Sequence, residues 1–507
     1  MIRSPILASL ALTAALAASG CTSLAGVAKL EPAADAQSPE PTAFPGLLSG
    51  AGLDETPAAV RYVFHTHGMG LTDADEVLLD PVKRALEQEG YRREGGAAGS
   101  PWIDAPTKRP HDFRGEALNC EGGAALQKPC RFESFGQYRV DRFINPALNR
   151  RVVVYSYFWH GDLWRIQKPF LEHDEAGLKS GFAGWTAGWI SGGLKQSIVN
   201  EGLSDVAAYL GPAGEPLRQG MSSAVCLMLR EAAGAPVAAE THNASLSVSP
   251  SDCLTDAQSS DLLESDARIS FISHSLGSRM LFDVLSEPTS RALTDGTPTK
   301  SLVATRRATD TFFMAANQLS LLGIGRIQRV EGNGTSDAQK SADKAATAGC
   351  PTTLPGFLTV TCRTPRDAQG RNKMTGGLSE KAVKAIDARR DLAVIGFFDP
   401  GDVLGYSLMG GRAGEPPADI RFISVLHRNT PQILRLGSNP AQAHDNELAL
   451  ESRALPWVGL ARAQDAPPRR RDAPAEVFRS PTAVAMILCG AKADSPDRLK
   501  ARKCHTR

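Results

Sequence analysis

The stretch that decides the fold is Ala267-Arg268-Ile269-Ser270-Phe271-Ile272-Ser273-His274-Ser275-Leu276-Gly277-Ser278-Arg279. It opens as an apolar, β-branched and aromatic run, passes through small residues, and continues into a helical pattern over 278–285. Strand, tight turn and helix are therefore expected in succession. Such a turn carries Ser275 on its crest, at the end of a strand and the start of a helix. The positions two before and two after it, Ser273 and Gly277, must be small because the turn crowds them. A serine hydroxyl is a weak nucleophile at neutral pH. It needs a base within hydrogen-bond reach and backbone donors for developing negative charge, and a helix start supplies such donors.

Working outward, strands are expected over 60–64, 138–143, 152–159, 311–315, 392–398 and 421–426. The run from Val152 to Trp159 is nearly all β-branched or aromatic and suits a strand buried on both faces. Helices are expected over 76–89, stopped by Gly90, and over 203–210, 216–232 and 379–390. Strands alternating with helices predict an α/β fold with a mostly parallel sheet flanked by helices. Segments 91–135, 235–260 and 331–349 read as loops, and long insertions are expected near 91–135, 160–200 and 328–378. The second insertion carries Trp164, Trp185 and Trp189 beside Trp159. Two readings of it stand: an apolar excursion packed on the core, or a lid or acyl-pocket wall.

The segment from Phe271 to Arg279 resembles the nucleophile elbow of α/β-hydrolase-fold esterases and lipases, and the resemblance runs over about 60–450 by motif order. Ser273 stands where the family more often has glycine. The resemblance implies cap- or lid-like insertions and the chain order nucleophile, acid, histidine. Asp402 is then the expected acid, with Asp399 the alternative; either one also suits the turn around Pro400 and Gly401. His444 is the expected base. His427 lies too near its strand, and His274 belongs to the elbow. The oxyanion donors implied are the N–H groups of Leu276 and of Met69, within His67-Gly68-Met69-Gly70. His65 and His67 read as hydrogen-bonding residues, and neither a metal nor an organic cofactor is called for. The implied activity is hydrolysis of carboxylic esters, of small molecules or lipids, through an acyl-enzyme. Alternatives are a peptidase or thioesterase using the same triad, or a non-catalytic envelope lipoprotein retaining the fold.

Residues 1–20 carry Arg3, an apolar run and the small residues Ala18-Ser19-Gly20 before Cys21. This is the anatomy of a secretory signal, and it resembles a bacterial lipobox with Cys21 as the lipidated residue. Thr22 after it points to the outer membrane of a bacterial envelope. Residues 21–57 read as a flexible tether, 58–450 as the domain and 451–507 as a C-terminal extension. Setting Cys21 aside from the 9 cysteines leaves an even number, as a disulfide framework requires. Pairing by proximity gives Cys120 with Cys130, Cys226 with Cys253, Cys350 with Cys362, and Cys489 with Cys504. No C-x-x-C spacing favours zinc. With 42% apolar residues, 22% charged residues and a net charge of +1, the chain can fill a large core and has no charge excess for nucleic acid.

Overall fold

The computed structural model describes residues 27–30, 44–49, 58–68, 79–95, 100–113, 130–167, 204–235, 249–250, 252–291, 298–315, 357–358, 360, 364, 377–387, 391–398, 419–428, 481–495 and 498–504. The fold is mixed α/β, with a mostly parallel central sheet flanked by helices. The strands, in chain order, are β1 (Val27–Leu30), β2 (Val60–Thr66), β3 (Arg92–Arg93), β4 (Ile103–Phe113), β5 (Cys130–Asn145), β6 (Arg150–Phe158), β7 (Arg268–His274), β8 (Thr309–Ala315), β9 (Leu392–Phe398), β10 (Ile420–Arg428), β11 (Ala491–Ser495) and β12 (Arg498–Ala501).

They join in the order β11-β12-β1-β10-β9-β8-β7-β2-β6-β5-β3, with β4 added on β5. The six strands from β6 to β10 across the middle run parallel, and the flanking pairs are antiparallel. The topology reverses at β2. From it the chain goes to β6 on one side, then returns to β7 on the other and continues outward through β8, β9 and β10. In a parallel sheet such a reversal opens a crevice at the carboxyl ends of the strands, because the connections on either side depart in opposite directions.

Side chains alternate along the central strands into two cores. Tyr62, Phe64, Ile269, Phe271, Phe312, Met314 and Val394 pack on one face with helices Gly214–Ala232, Asp256–Glu264, Leu276–Arg291, Lys300–Ala308 and Glu380–Asp387. Val63, Ile272, Phe313, Ala393, Ile395 and Phe397 pack on the other with helices Asp80–Gln88 and Pro481–Cys489. Burial on both faces is why these strands read as continuous apolar runs. Among the described residues, no helix is long and apolar enough to cross a membrane.

The structure departs from the sequence reading in four places, one being helix Asp256–Glu264, which begins inside the segment read as a loop over 235–260. The segment read as a loop over 91–135 holds β3, β4 and the start of β5. Its β4 contains Pro106 and Pro110, which mark a loop in sequence. The ladder shifts register around Pro106, and among the described residues β4 pairs with β5 alone, so an edge strand with bulges tolerates the missing N–H groups. The expected tether contributes β1 to the sheet, and Phe44, Leu47 and Leu48 are buried. The expected C-terminal extension supplies helix Pro481–Cys489 and strands β11 and β12, so the domain reaches well past residue 450. The reason is mutual: Leu47 N–H and Leu48 N–H donate to Ile487 O and Leu488 O at 2.9 and 2.8 Å, and neither apolar segment is covered without the other.

At the amino ends of the central strands, Arg61 is buried against Asp310 at 2.6 Å and donates to Ser270 Oγ at 2.8 Å. Removing one member of a buried pair strands the other charge, which costs about 3–5 kcal/mol. Asp310→Ala is therefore expected to lower the denaturation free energy by about that amount, measured by urea titration with circular dichroism.

Candidate active site

The last residue of β7 leads into Ser275 and then into helix Leu276–Arg291. Ser275 has φ = 50°, the left-handed region that L residues avoid. The turn is held at both ends: Ser275 N–H donates to Ala315 O at 2.9 Å, and Ser278 N–H donates to Ser275 O at 3.0 Å. The strained residue is thus not glycine but the serine the sequence singled out, and such strain concentrates at functional sites.

The neighbouring positions explain why the turn needs small residues. A Cβ on Gly277 would lie 2.2 Å from His67 O and 3.1 Å from Thr66 Cγ2. A Cβ on Gly68 would lie 2.4 Å from His274 Nδ1 and 2.7 Å from Ser275 Cβ. The turn after β2 and the elbow after β7 are therefore in direct backbone contact across the topological reversal. Two positions before Ser275, the buried Ser273 hydroxyl donates to Ser278 Oγ at 2.9 Å, tying the end of β7 to the start of the helix. Leu276, buried at the helix start, belongs to the first turn, whose N–H groups have no intrahelical acceptor.

His67 fixes the turn. Trp159 N–H donates to its Nε2 at 3.1 Å, so the proton sits on Nδ1, which donates to Gly68 O at 2.6 Å. The Trp159 indole N–H donates to His67 O at 3.2 Å, and the two rings stack at 4.8 Å. Burial, with His160 nearby, holds the His67 pKa well below its ordinary value, as a ring using one nitrogen as acceptor and one as donor requires. Trp159 is therefore a core and positioning residue. Trp164 stacks on His160 at 5.9 Å, while Trp185 and Trp189 lie outside the described residues.

A buried pair that the sequence reading missed stands at the same end of the sheet. His160 Nδ1 lies 3.2 Å from Asp205 Oδ2, and Gln167 Nε2 donates to Asp205 Oδ1 at 2.9 Å. Their separation in sequence hides the pairing; the signals were a histidine directly after the strongest strand run and an acid at a helix start. Close by in the fold, Tyr209 and Arg279 both bond Asp283, at 2.6 and 2.8 Å, tying helix Ser204–Leu210 to the helix behind the elbow.

Of the expected site residues, the structure brings Ser275 and Leu276 together with His67 and Gly68. Met69, Asp399, Asp402, His444 and Cys21 lie outside the described residues. Cys489 and Cys504 form a disulfide with Cα atoms 4.7 Å apart. Cys130 is disulfide-bonded, while Cys120, Cys350 and Cys362 lie outside the described residues. The expected bond between Cys226 and Cys253 is corrected: the two are buried thiols in contact, and Cys253 Sγ donates to Pro250 O at 3.7 Å. Chain proximity placed the sulfurs together without joining them. Among the described residues, one group has metal-ligand spacing, Glu89 with Cys489 and Cys504, and its sulfurs are joined to each other. Comparison with protein-family models, curated proteins and solved structures finds no match to this chain.

Two outcomes follow from this geometry. Glycine adopts the left-handed conformation freely, so Ser275→Gly is expected to be about 1 kcal/mol more stable than Ser275→Ala in urea unfolding. His65, fully buried in β2, has its pKa lowered to about 3 from 6.5, chiefly by burial. The unfolded chain binds the proton first, so this residue's contribution is present above pH 6.5 and lost as pH falls from there toward about 3. Urea midpoints between pH 7 and 4 are expected to fall less steeply for His65→Gln than for wild type.

Proposed function

We propose that this protein is a serine hydrolase of the α/β-hydrolase type that cleaves carboxylic esters through an acyl-enzyme on Ser275. The observation that carries the reading is the left-handed Ser275 on a strand-to-helix turn, in backbone contact with the His67-Gly68 turn at the point where the sheet order reverses. A strained serine held at that place has its hydroxyl at a helix N-terminus beside a second backbone turn, the arrangement that acyl transfer needs.

In this mechanism His444, oriented by Asp402 or by its alternative Asp399, takes the proton from Ser275 Oγ as the oxygen attacks the acyl carbonyl. The N–H groups of Leu276 and Met69 receive the oxyanion. The protonated histidine gives its proton to the leaving alcohol, and water then releases the acid by the same steps in reverse roles. His67 contributes through position, because its Nδ1–H holds the Gly68 carbonyl. Cys21 is the lipid anchor in this reading, which places the protein on a bacterial envelope membrane.

Two specific observations favour other assignments. The described histidine–carboxylate pair at this end of the sheet is His160 with Asp205, which competes with His444 for the role of base. Ser275 is fully buried, which favours the non-catalytic alternative.

Labelling with a fluorescent fluorophosphonate separates these readings. Wild type is expected to label, and Ser275→Ala to show none. His444→Ala is expected to slow labelling by at least about 10²-fold, with His160→Ala close to wild type, as loss of a general base costs 10²–10⁴-fold. The reverse order would assign the base to His160. A folded wild type that resists the probe with and without detergent would make the non-catalytic reading the correct one.

A further inference from the structure

The register of the outer strands fixes where a lipid on Cys21 would hold the domain. One row crosses the sheet at the level of the elbow: His274 pairs with Ala315, Ala315 with Phe397, Phe397 with Val425, and Val425 with Leu30. β1 is antiparallel to β10, so its chain runs from the carboxyl ends of the parallel strands toward their amino ends. Val27 pairs with Arg428, three residues above that row on the Ser275 side. The chain therefore enters the sheet from the same end that carries the crevice.

The distances are short. Cys21 precedes Val27 by six residues, which span at most about 20 Å when extended. β1 lies four strands from β7, about 19 Å at the usual spacing of parallel and antiparallel neighbours. A tether of the length first expected would leave the domain free to turn any face to the membrane. A chain that enters β1 at Val27 does not.

We infer that the lipid anchor turns the carboxyl-end face of the sheet toward the bilayer, so that Ser275 works on esters resident in the membrane that holds the protein. This rests on the hydrolase and lipoprotein readings above. It assigns the substrate class as acyl esters of membrane lipids, supplied by lateral diffusion, with the fatty acid left in the membrane or released to water. The chemistry at Ser275 is the same hydrolysis; what changes is the effective concentration of substrate at the crevice.

The test uses full-length lipidated protein in vesicles of phosphatidylethanolamine and phosphatidylglycerol doped with a quencher on the lipid headgroup. Three dye positions are compared: a fluorophosphonate dye on Ser275, a thiol dye on Arg165→Cys near the carboxyl end of β6, and the same dye on Asp266→Cys before the amino end of β7. Arg165 and Asp266 are both exposed. Quenching is expected to be severalfold stronger at Ser275 and at residue 165 than at residue 266. Strongest quenching at residue 266 overturns the orientation, whether or not Ser275 reacts. A fluorogenic phospholipid in the same vesicles is expected to turn over at least about tenfold faster with the anchored protein than with a signal-free form lacking Cys21, while a water-soluble butyrate ester shows equal rates. Equal rates on both esters overturn the substrate assignment. Failure of Ser275 to label, with residue 165 still the more quenched, overturns the hydrolase reading and with it the substrate, and leaves the orientation standing.

Discussion

Backbone meets backbone between the turn after β2 and the turn after β7, with no room for a methyl group on Gly68 or Gly277. The rest of the molecule is arranged so that this contact can exist. Two parallel strands must lie side by side with their carboxyl ends level, which the register of Thr66 with Ser273 provides. The strand on the far side, β6, must present Trp159 at the height where its ring covers His67. β8 must place the Ala315 carbonyl where the Ser275 amide meets it. A serine in the left-handed region costs about 1–2 kcal/mol over an ordinary backbone conformation, and these four strands hold it there.

Among the described residues, the two faces of the sheet are covered unequally. One has helices from the middle of the chain, while the other is covered by helix Asp80–Gln88 together with helix Pro481–Cys489 and the segment around Phe44. Charge is handled in the same economical way. The cations Arg61, Lys83 and Arg306 are each buried against one carboxylate, Asp310, Asp141 and Asp419, which lie far from them in sequence. Burial pulls the Arg306 pKa down to about 10 even so, and the nearby Asp419 opposes that shift.

Much of this was legible in the sequence because the central strands are buried on both sides. A run broken only by one serine, such as Ile269 to Ile272 or Val152 to Phe158, has few other uses, and the positions of β7, β8, β9 and β10 were found to within two residues or so. The elbow was legible for a steric reason, since the turn crowds positions two residues from Ser275, as at Gly277. What escaped was set by partners distant in the chain. β4 hides behind its prolines because an edge strand with bulges does not need every N–H. β1 is too short to stand out from the small residues around it, and it is a strand because β10 and β12 flank it. Helix Asp256–Glu264 escaped inside a polar stretch, although Thr255 and Gln258 form the capping box that marks its start. The thiols of Cys226 and Cys253 were located together correctly, but adjacency does not dictate oxidation.

The position of β1 between β10 and β12 also bears on when the fold can close. β1 has both its neighbours about 400 residues or more further along the chain, and the segment around Phe44 pairs with helix Pro481–Cys489 and β11. Contacts this distant along the chain form slowly, because their loop-closure entropy is lost before any stabilisation is gained. Until helix Pro481–Cys489 is made, the second face of the sheet lacks part of its cover, and the Phe44 segment lacks its backbone partners. This edge of the sheet therefore closes only once β10, helix Pro481–Cys489 and β12 have all been made.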